Sequence, residues 1–148
     1  MAGRAVATWD VEVQRSPEEV FAYLTDISKH AEWSPKPYRV ESLEGPVGKG
    51  STFVSYGWIP KDKDHRNEVE VTEYQPASRF TMVSKDDGGQ TVNTFVLSPV
   101  AGGTKVERTM DLPKPPGVTG ALFPLILVAL VKPGVNKGLQ LFKQNLER

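Results

Sequence analysis

The stretch that decides the fold is SPEEVFAYLTDISKHAEWSP, residues 16–35. Ser16 is a typical N-cap, Pro17 takes the first helical position, and two glutamates follow in the first turn. Asp26 can cap a second short turn over residues 27–31, which the Trp-Ser-Pro sequence then ends. The apolar stripe of the first helix consists of Val20, Phe21 and Leu24. The stretch therefore predicts two short helices.

Strand patterns lie on both sides of these helices. Residues 5–13 alternate between apolar and polar side chains, as half-buried strands do. After the helices, six more extended segments are separated by short turns, including the hairpin signal Asp-Asp-Gly-Gly at 86–89. Short connections between adjacent strands predict an antiparallel sheet. The six segments are residues 38–43, 51–58, 67–74, 79–84, 90–97 and 104–112.

The chain ends in a helical pattern from about residue 118 to 148, with an interruption expected near Pro133. Residues 118–131 carry no charge. This run is shorter than the roughly 20 apolar residues that a transmembrane helix needs, and Pro124 interrupts it, so we expect no membrane span. The element order predicts an α+β fold in which a curved seven-stranded antiparallel sheet grips a long C-terminal helix.

Composition excludes several classes of protein. The 148 residues fit a single domain, 1–148, and 18 Lys+Arg balance 18 Asp+Glu, which argues against a nucleic-acid binder. The absence of cysteine favours a reducing, cytoplasmic location. His30 and His65 have no second ligand at metal spacing, and both are predicted to face water. No Gly-rich phosphate loop is present, so we expect no metal and no cofactor.

Together with the stretch 16–35, three further segments resemble the START-like helix-grip (SRPBCC) superfamily, and most closely its polyketide cyclase/dehydrase and lipid-transport family. They are GPVGKGSTF at 45–53, VTEYQPASRF at 71–80 and LSPVAGGTKVERTM at 97–110. The resemblance implies a ligand cavity between the sheet and the C-terminal helix. The chain departs from the family in the apolar start of that helix and in its central Pro-Gly.

The apolar run 118–131 has three interpretations. It can wall the implied cavity, with the two prolines acting as hinges of a lid, or it can be ordinary core. It can also be a contact surface for a second copy of the chain or for a membrane. We favour the cavity wall, and we expect Leu122, Phe123 and Ile126 to contact the ligand.

Strand alternation supplies the other candidate ligand contacts. We expect the faces that carry aromatic and methionine side chains to point toward the helix, where they would form an adaptable apolar lining. By the resemblance, Trp33 lies beside the cavity, although it could instead anchor the short helices to the sheet. Asn93 and Tyr56 could each donate or accept a hydrogen bond. The remaining predicted contacts are Trp58, Met82, Phe95, Arg108 and Met110.

Arg108 is the most informative polar residue, because it shares a strand face with Val106 and Met110. A buried guanidinium needs a partner, which could be Glu73, Glu70 or an anionic group of a ligand. Arg108, Tyr56 and Glu73 are also the weak candidates for a catalytic role.

Three functions follow from these expectations. The first is binding of a small hydrophobic molecule, such as a lipid or polyketide, in an internal cavity. The second is an aromatase/cyclase or dehydratase activity in the same cavity. The third is an interaction module, for instance a homodimer formed through the C-terminal helix. The sequence contains no unmistakable acid–base pair, so we rank binding first.

Overall fold

A computed structural model describes residues 3–59, 61–115 and 117–148 of the chain. Seven strands form one antiparallel sheet: β1 Arg4–Val13, β2 Arg39–Glu41, β3 Thr52–Ile59, β4 Asp62–Gln75, β5 Arg79–Asp86, β6 Gly89–Val100 and β7 Gly103–Pro113. Their order in the sheet is β1-β7-β6-β5-β4-β3-β2, so the last strand pairs with the first. The predicted α+β fold with a curved sheet and a long C-terminal helix is confirmed.

The two short helices lie where the sequence predicts them. Helix α1, Pro17–Thr25, begins at Ser16, whose Oγ accepts the Glu19 N–H at 3.2 Å. A 3₁₀ helix, Ile27–Trp33, follows directly. The Asp26 side chain makes no capping bond to a backbone N–H of this helix and instead accepts a hydrogen bond from the Ser28 hydroxyl. The buried side of the pair consists of Val20, Phe21, Leu24, Thr25, Ile27, His30 and Trp33.

The helical end of the chain is more continuous than predicted. A short helix α2, Gly117–Ala121, precedes one unbroken C-terminal helix, Phe123–Glu147, which passes through Pro133. The expected interruption is wrong because the turn before the proline, Leu127–Val131, widens to a π-helix in which the Lys132 N–H bonds the Leu127 carbonyl. A proline ring has no N–H and crowds the preceding turn, so a wider turn lets the helix continue past it.

The second half of this helix is the part that the sheet grips. Leu139 and Phe142 are 1% exposed, and this half contacts β1 and the 3₁₀ helix. Gly138 allows the close approach, since a Cβ at that position would lie 3.1 Å from the Trp33 carbonyl oxygen. Phe123–Glu147 is long and apolar enough to cross a membrane by length and composition. Because Gly138, Leu139 and Phe142 in its second half are buried against the domain, it is the core helix of the fold rather than a span.

Candidate functional site

An open cleft of about 530 Å³ lies between the sheet, the 3₁₀ helix with its following loop, and the C-terminal helix. Val131, Gly134, Val135 and Gly138 form the helical wall, so the cleft begins where the apolar run ends. Its volume falls within the range of small-molecule sites. The apolar part of the lining comprises Trp33, Phe53, Trp58, Ile59, Val69, Met82, Met110, Leu112, Val131 and Val135.

On strand β3 the inward face is opposite to the one we expected. Phe53, Ser55 and Gly57 line the cleft, whereas Tyr56 lies on the outer face with the Arg39 guanidinium 3.7 Å from its ring centre. Trp58 nevertheless reaches the cleft, because the β3–β4 pairing shifts register between Gly57 and Ile59. An irregularity of this kind interrupts the period of two.

Arg108 places a charged guanidinium in the cleft. Its Nε and one terminal nitrogen both donate to Asn93 Oδ1, at 3.1 and 2.9 Å. Among the residues that the structure describes, Asn93 is the only side-chain acceptor bonded to it. Burial lowers the pKa of Arg108 to about 10, so it stays charged at neutral pH. The side chain is half-buried by accessible surface, and the part that remains accessible faces the cleft it lines.

Aromatic rings surround this guanidinium. It lies 5.2 Å from the ring centre of Phe95 and 5.9 Å from that of Trp33. Trp33 itself packs edge-on against Phe95 and Phe142, with ring centres 6.2 and 5.3 Å apart. Trp33 therefore both anchors the 3₁₀ helix and lines the cleft. Ring faces supply some attraction for a cation, but they do not neutralise its charge.

His30 is a buried neutral base beside Arg108. Only 6% of it is exposed, which corrects the prediction that it faces water. Its Nε2 lies 2.7 Å from the Leu24 carbonyl oxygen, so Nε2 carries the proton and Nδ1 is left as an acceptor. Burial lowers the pKa of His30 to about 4, and the Arg108 charge adds to the effect. The histidine lines the cleft.

Tyr38 and Ser55 complete the polar end. Burial raises the pKa of the Tyr38 phenol, while its hydrogen bond to Ser55 and the nearby Arg108 charge oppose the shift. The phenol is therefore a neutral hydrogen-bonding group at physiological pH. One end of the cleft thus holds a guanidinium, an imidazole, an amide, a phenol and a hydroxyl, and the rest of the lining is mainly apolar.

Lys36 and His65 are two further basic side chains that line the cleft, and each contacts another side chain. Lys36 Nζ lies 4.6 Å above the ring of Trp58, which ties the loop after the 3₁₀ helix to the end of β3. His65 Nε2 lies 2.7 Å from Asp86 Oδ2, and its Nδ1 is 3.4 Å from Asp62. The hydrogen bond to Asp86 raises the pKa of His65. His65, which we expected to face water, lies on strand β4 and lines the cleft.

The structure brings six of the predicted contacts together in the lining: Trp33, Trp58, Met82, Asn93, Arg108 and Met110. Phe95 is 1% exposed and lies behind Arg108. Four other predicted contacts do not line the cleft. Tyr56 is on the outer face, Phe123 belongs to the packed core, Ile126 packs against that core, and Leu122 is 49% exposed. These helical positions precede the turn that reaches the cleft.

Glu73 is also outside the cleft. Its Oε1 accepts hydrogen bonds from Arg79 Nε at 3.0 Å and from the Thr81 hydroxyl at 2.7 Å. It is therefore neither the partner of Arg108 nor placed for catalysis in the cleft, and the bond from Thr81 is the main reason that its pKa is lowered. In the described part of the chain, no three His, Asp or Glu side chains gather as metal ligands.

These features define a helix-grip domain with a mainly apolar cleft. The family model for polyketide cyclase/dehydrase and lipid transport matches residues 4–147, and the chain belongs to this SRPBCC-type family. No curated protein sequence matches the chain significantly.

Several solved structures share the fold. The di-domain ARO/CYC StfQ from the steffimycin biosynthetic pathway matches with a TM-score of 0.79 at 14% identity, over 95% of this chain and 50% of StfQ. A protein from Thermus thermophilus gives 0.78 at 17% identity, with 96% and 97% of the two chains covered. A Chromobacterium violaceum protein gives 0.71 at 18% identity, covering 97% and 99%. At these identities the similarity is one of fold alone.

Proposed function

We propose that the protein binds a small hydrophobic molecule that carries one acidic oxygen group, with that group held by Arg108. The observation that carries the proposal is a charged guanidinium inside a mainly apolar cleft, bonded only to a neutral amide among the described side chains. A buried charge without a counter-charge is costly, and an anionic ligand group would supply one. Family membership supports a lipid, a polyketide or a related metabolite as the class of ligand.

The apolar lining and the polar end of the cleft would contribute to binding in different ways. The apolar lining would contribute about 25 cal/mol for each Å² of apolar ligand surface that it covers. Arg108, Tyr38 and Ser55 would fix the orientation, since each can hydrogen-bond an oxygen of the ligand. A bound anion would also raise the pKa of His30, which lies beside the same charge. The predicted cytoplasmic location fits a soluble carrier and stays a prediction.

Calorimetric titration with matched probes tests this proposal. The probes are palmitic acid, 2-naphthoic acid and the methyl ester of each. We expect at least one acid to bind about tenfold or more tightly than its ester, because a hydrogen bond to a charged group contributes about 1.5–3 kcal/mol. Arg108→Gln should remove the preference. Arg79→Gln is the control, because Arg79 is bonded to Glu73 outside the cleft.

Two results would count against it. Equal affinity for acid and ester in the unaltered protein would show that the charge plays no part in recognition. Absence of binding for every probe, with no rise in melting temperature, would argue that the cleft does not take hydrophobic acids.

A cyclase or dehydratase activity is the second candidate, and His30 is the observation that favours it. Its Nδ1 could take a proton α to a carbonyl, while the electron pair moves to an enolate oxygen held by Arg108. In a dehydration the same proton would leave with the departing hydroxyl as water, re-forming the carbonyl. A pKa of about 4 makes His30 a weak base, however, and this ranks binding above catalysis. His30→Gln should abolish any turnover of a β-hydroxyketone probe while leaving acid binding within about threefold.

A further inference from the structure

The first half of the C-terminal helix and the short helix before it expose an apolar surface. Five of the seven large hydrophobic side chains that are exposed in the described residues lie here, at 49–77% exposure. We call them the apolar ridge: Val118, Leu122, Leu125, Val128 and Leu130. Within Phe123–Glu147, only 22% of the most apolar 18-residue window is buried. Soluble monomers rarely expose such a cluster unless it contacts something.

Along the chain, the charged residues that flank the ridge all have one sign. No Asp or Glu occurs between Asp111 and Glu147, whereas lysines stand at 114, 132, 137 and 143. The two bounding carboxylates are already paired, Asp111 with Arg4 at 2.8 Å and Glu147 with Lys143 at 2.8 Å. Lys132 and Lys137 are exposed, and neither forms an ion pair within the described residues. The surface is therefore apolar with a basic margin.

We propose that the apolar ridge docks onto the surface of an anionic lipid bilayer. A helix with exposed large aliphatic side chains and flanking lysines fits the boundary between acyl chains and negatively charged headgroups. The ridge would lie in the interface rather than cross it, because the second half of the same helix is held in the domain by Leu139 and Phe142. The proposal is independent of which ligand the cleft takes.

A second copy of the chain fits this surface less well. A symmetric dimer would place the same patch on both sides of the interface. The lysines that flank the ridge would then face the lysines of the other copy, with no acidic side chain between Asp111 and Glu147 to pair with them. Like charges brought together at an interface oppose association. Charge complementarity therefore selects an anionic surface over self-association.

The position of the ridge beside the cleft gives docking a consequence. Leu130 is followed by Val131, the first helical residue of the cleft lining, and Gly134 and Val135 continue that wall one turn later. Docking through the ridge would thus hold the helical wall of the cleft next to the bilayer. A hydrophobic molecule could then pass between lipid and cleft with little exposure to water.

Vesicle flotation with the full chain tests the proposal. The probes are vesicles of phosphatidylcholine alone and of phosphatidylcholine mixed with phosphatidylglycerol. We expect binding to the mixed vesicles only, and weakening as salt is added. Leu125→Gln with Leu130→Gln should weaken binding about tenfold or more, through lost apolar burial. Lys132→Gln with Lys137→Gln should weaken it about twenty-five-fold, at about fivefold for each lysine near the surface.

Controls separate docking from misfolding and from dimer formation. Val6→Gln alters an equally exposed apolar side chain on β1 and should leave vesicle binding unchanged. All variants should keep the melting temperature of the unaltered protein, because every altered side chain is exposed. The proposal is overturned if mixed vesicles bind no better than phosphatidylcholine, or if sedimentation shows a dimer that the ridge variants convert to monomer. Neither outcome bears on acid binding in the cleft.

Discussion

In the C-terminal helix the more polar half packs against the sheet and the more apolar half is largely exposed, which is the opposite of what hydrophobicity alone predicts. Phe123–Val131 has no charged residue, yet it buries only Phe123 and Leu127. Lys132–Glu147 carries lysines and a glutamate, yet it contains Leu139 and Phe142, which are fully buried. The more polar half is amphipathic and presents one apolar stripe to the sheet, while the other half is apolar on more faces than the sheet can cover. Which half of the helix is buried therefore depends on where the sheet offers a surface to pack against.

The largest expected effect on stability comes from comparing Phe142, in the half that the sheet grips (Lys132–Glu147), with Leu130, in the exposed half (Phe123–Val131). Phe142→Ala should lower the free energy of unfolding by about 3–5 kcal/mol, because the ring is enclosed by Trp33 and Tyr23 and its removal leaves a cavity. Leu130→Ala should change it by less than about 0.5 kcal/mol, since Leu130 is 70% exposed. Urea denaturation measures both. Similar losses for the two variants would mean that the first half is also packed.

The second test uses the acid dependence of stability. The gripped half packs on the 3₁₀ helix that carries His30, whose pKa falls from 6.5 unfolded to about 4 folded. The unfolded chain therefore binds the proton more readily between these values. Stability should fall as the pH drops from about 6.5 to 4, and His30 should account for about 3 kcal/mol of the loss.

His30→Gln isolates this contribution, because a glutamine amide can still donate to the Leu24 carbonyl. The difference in unfolding free energy between the two proteins should shrink as the pH falls through that window. The lowered pKa values of Glu73 and Glu147 act in both proteins alike and cancel in the difference. Parallel curves for the two proteins would contradict a neutral, buried His30.

Local patterns were enough to predict the fold. Each signal depends on only a few neighbouring residues: the Ser-Pro-Glu-Glu start of α1, the alternation of residues 5–13 and the glycine-containing hairpin turns. The structure contains all of the elements that they predict. The course of the helix through Pro133 was not predictable in this way. Whether a proline breaks a helix or widens one turn depends on packing on either side of it, and here the next turns are gripped by the domain.

The site was predictable only in part, because the lining depends on which strand face turns inward. On β5, β6 and β7 the methionine and aromatic positions identified that face, and Met82, Asn93, Arg108 and Met110 lie in the lining. On β3 both faces carry large side chains, and the inward one holds the less conspicuous Ser55 and Gly57. His30 was missed because only Trp33 belongs to the same 3₁₀ helix, whereas Arg108 lies beside it from the distant strand β7, which the local sequence does not show.

A smaller effect is expected where the helix touches the 3₁₀ helix. Gly138→Ala would place a methyl group 3.1 Å from the Trp33 carbonyl oxygen, which is backbone and cannot turn aside. The helix would have to move outward, and overpacking of this kind costs about 1–3 kcal/mol. Thermal unfolding measures the loss. No loss would indicate that the gripped half is held less tightly than its buried side chains suggest.

The smallest expected effect is an increase in stability at Gly134, which lies one turn before Gly138, where the helix starts to pack on the domain. A Cβ at Gly134 meets no atom within 4 Å, and the residue is inside the helix, so alanine is compatible with its backbone. Gly134→Ala should stabilise the protein by about 0.4–1 kcal/mol, because glycine loses more freedom than alanine when a helix forms. Both glycines line the cleft and are four residues apart. A rise in melting temperature for Gly134→Ala and a fall for Gly138→Ala would show that tight packing of the helix on the domain starts between them. A loss at both positions would contradict the open space around Gly134 and would place the start of the packed part before that residue.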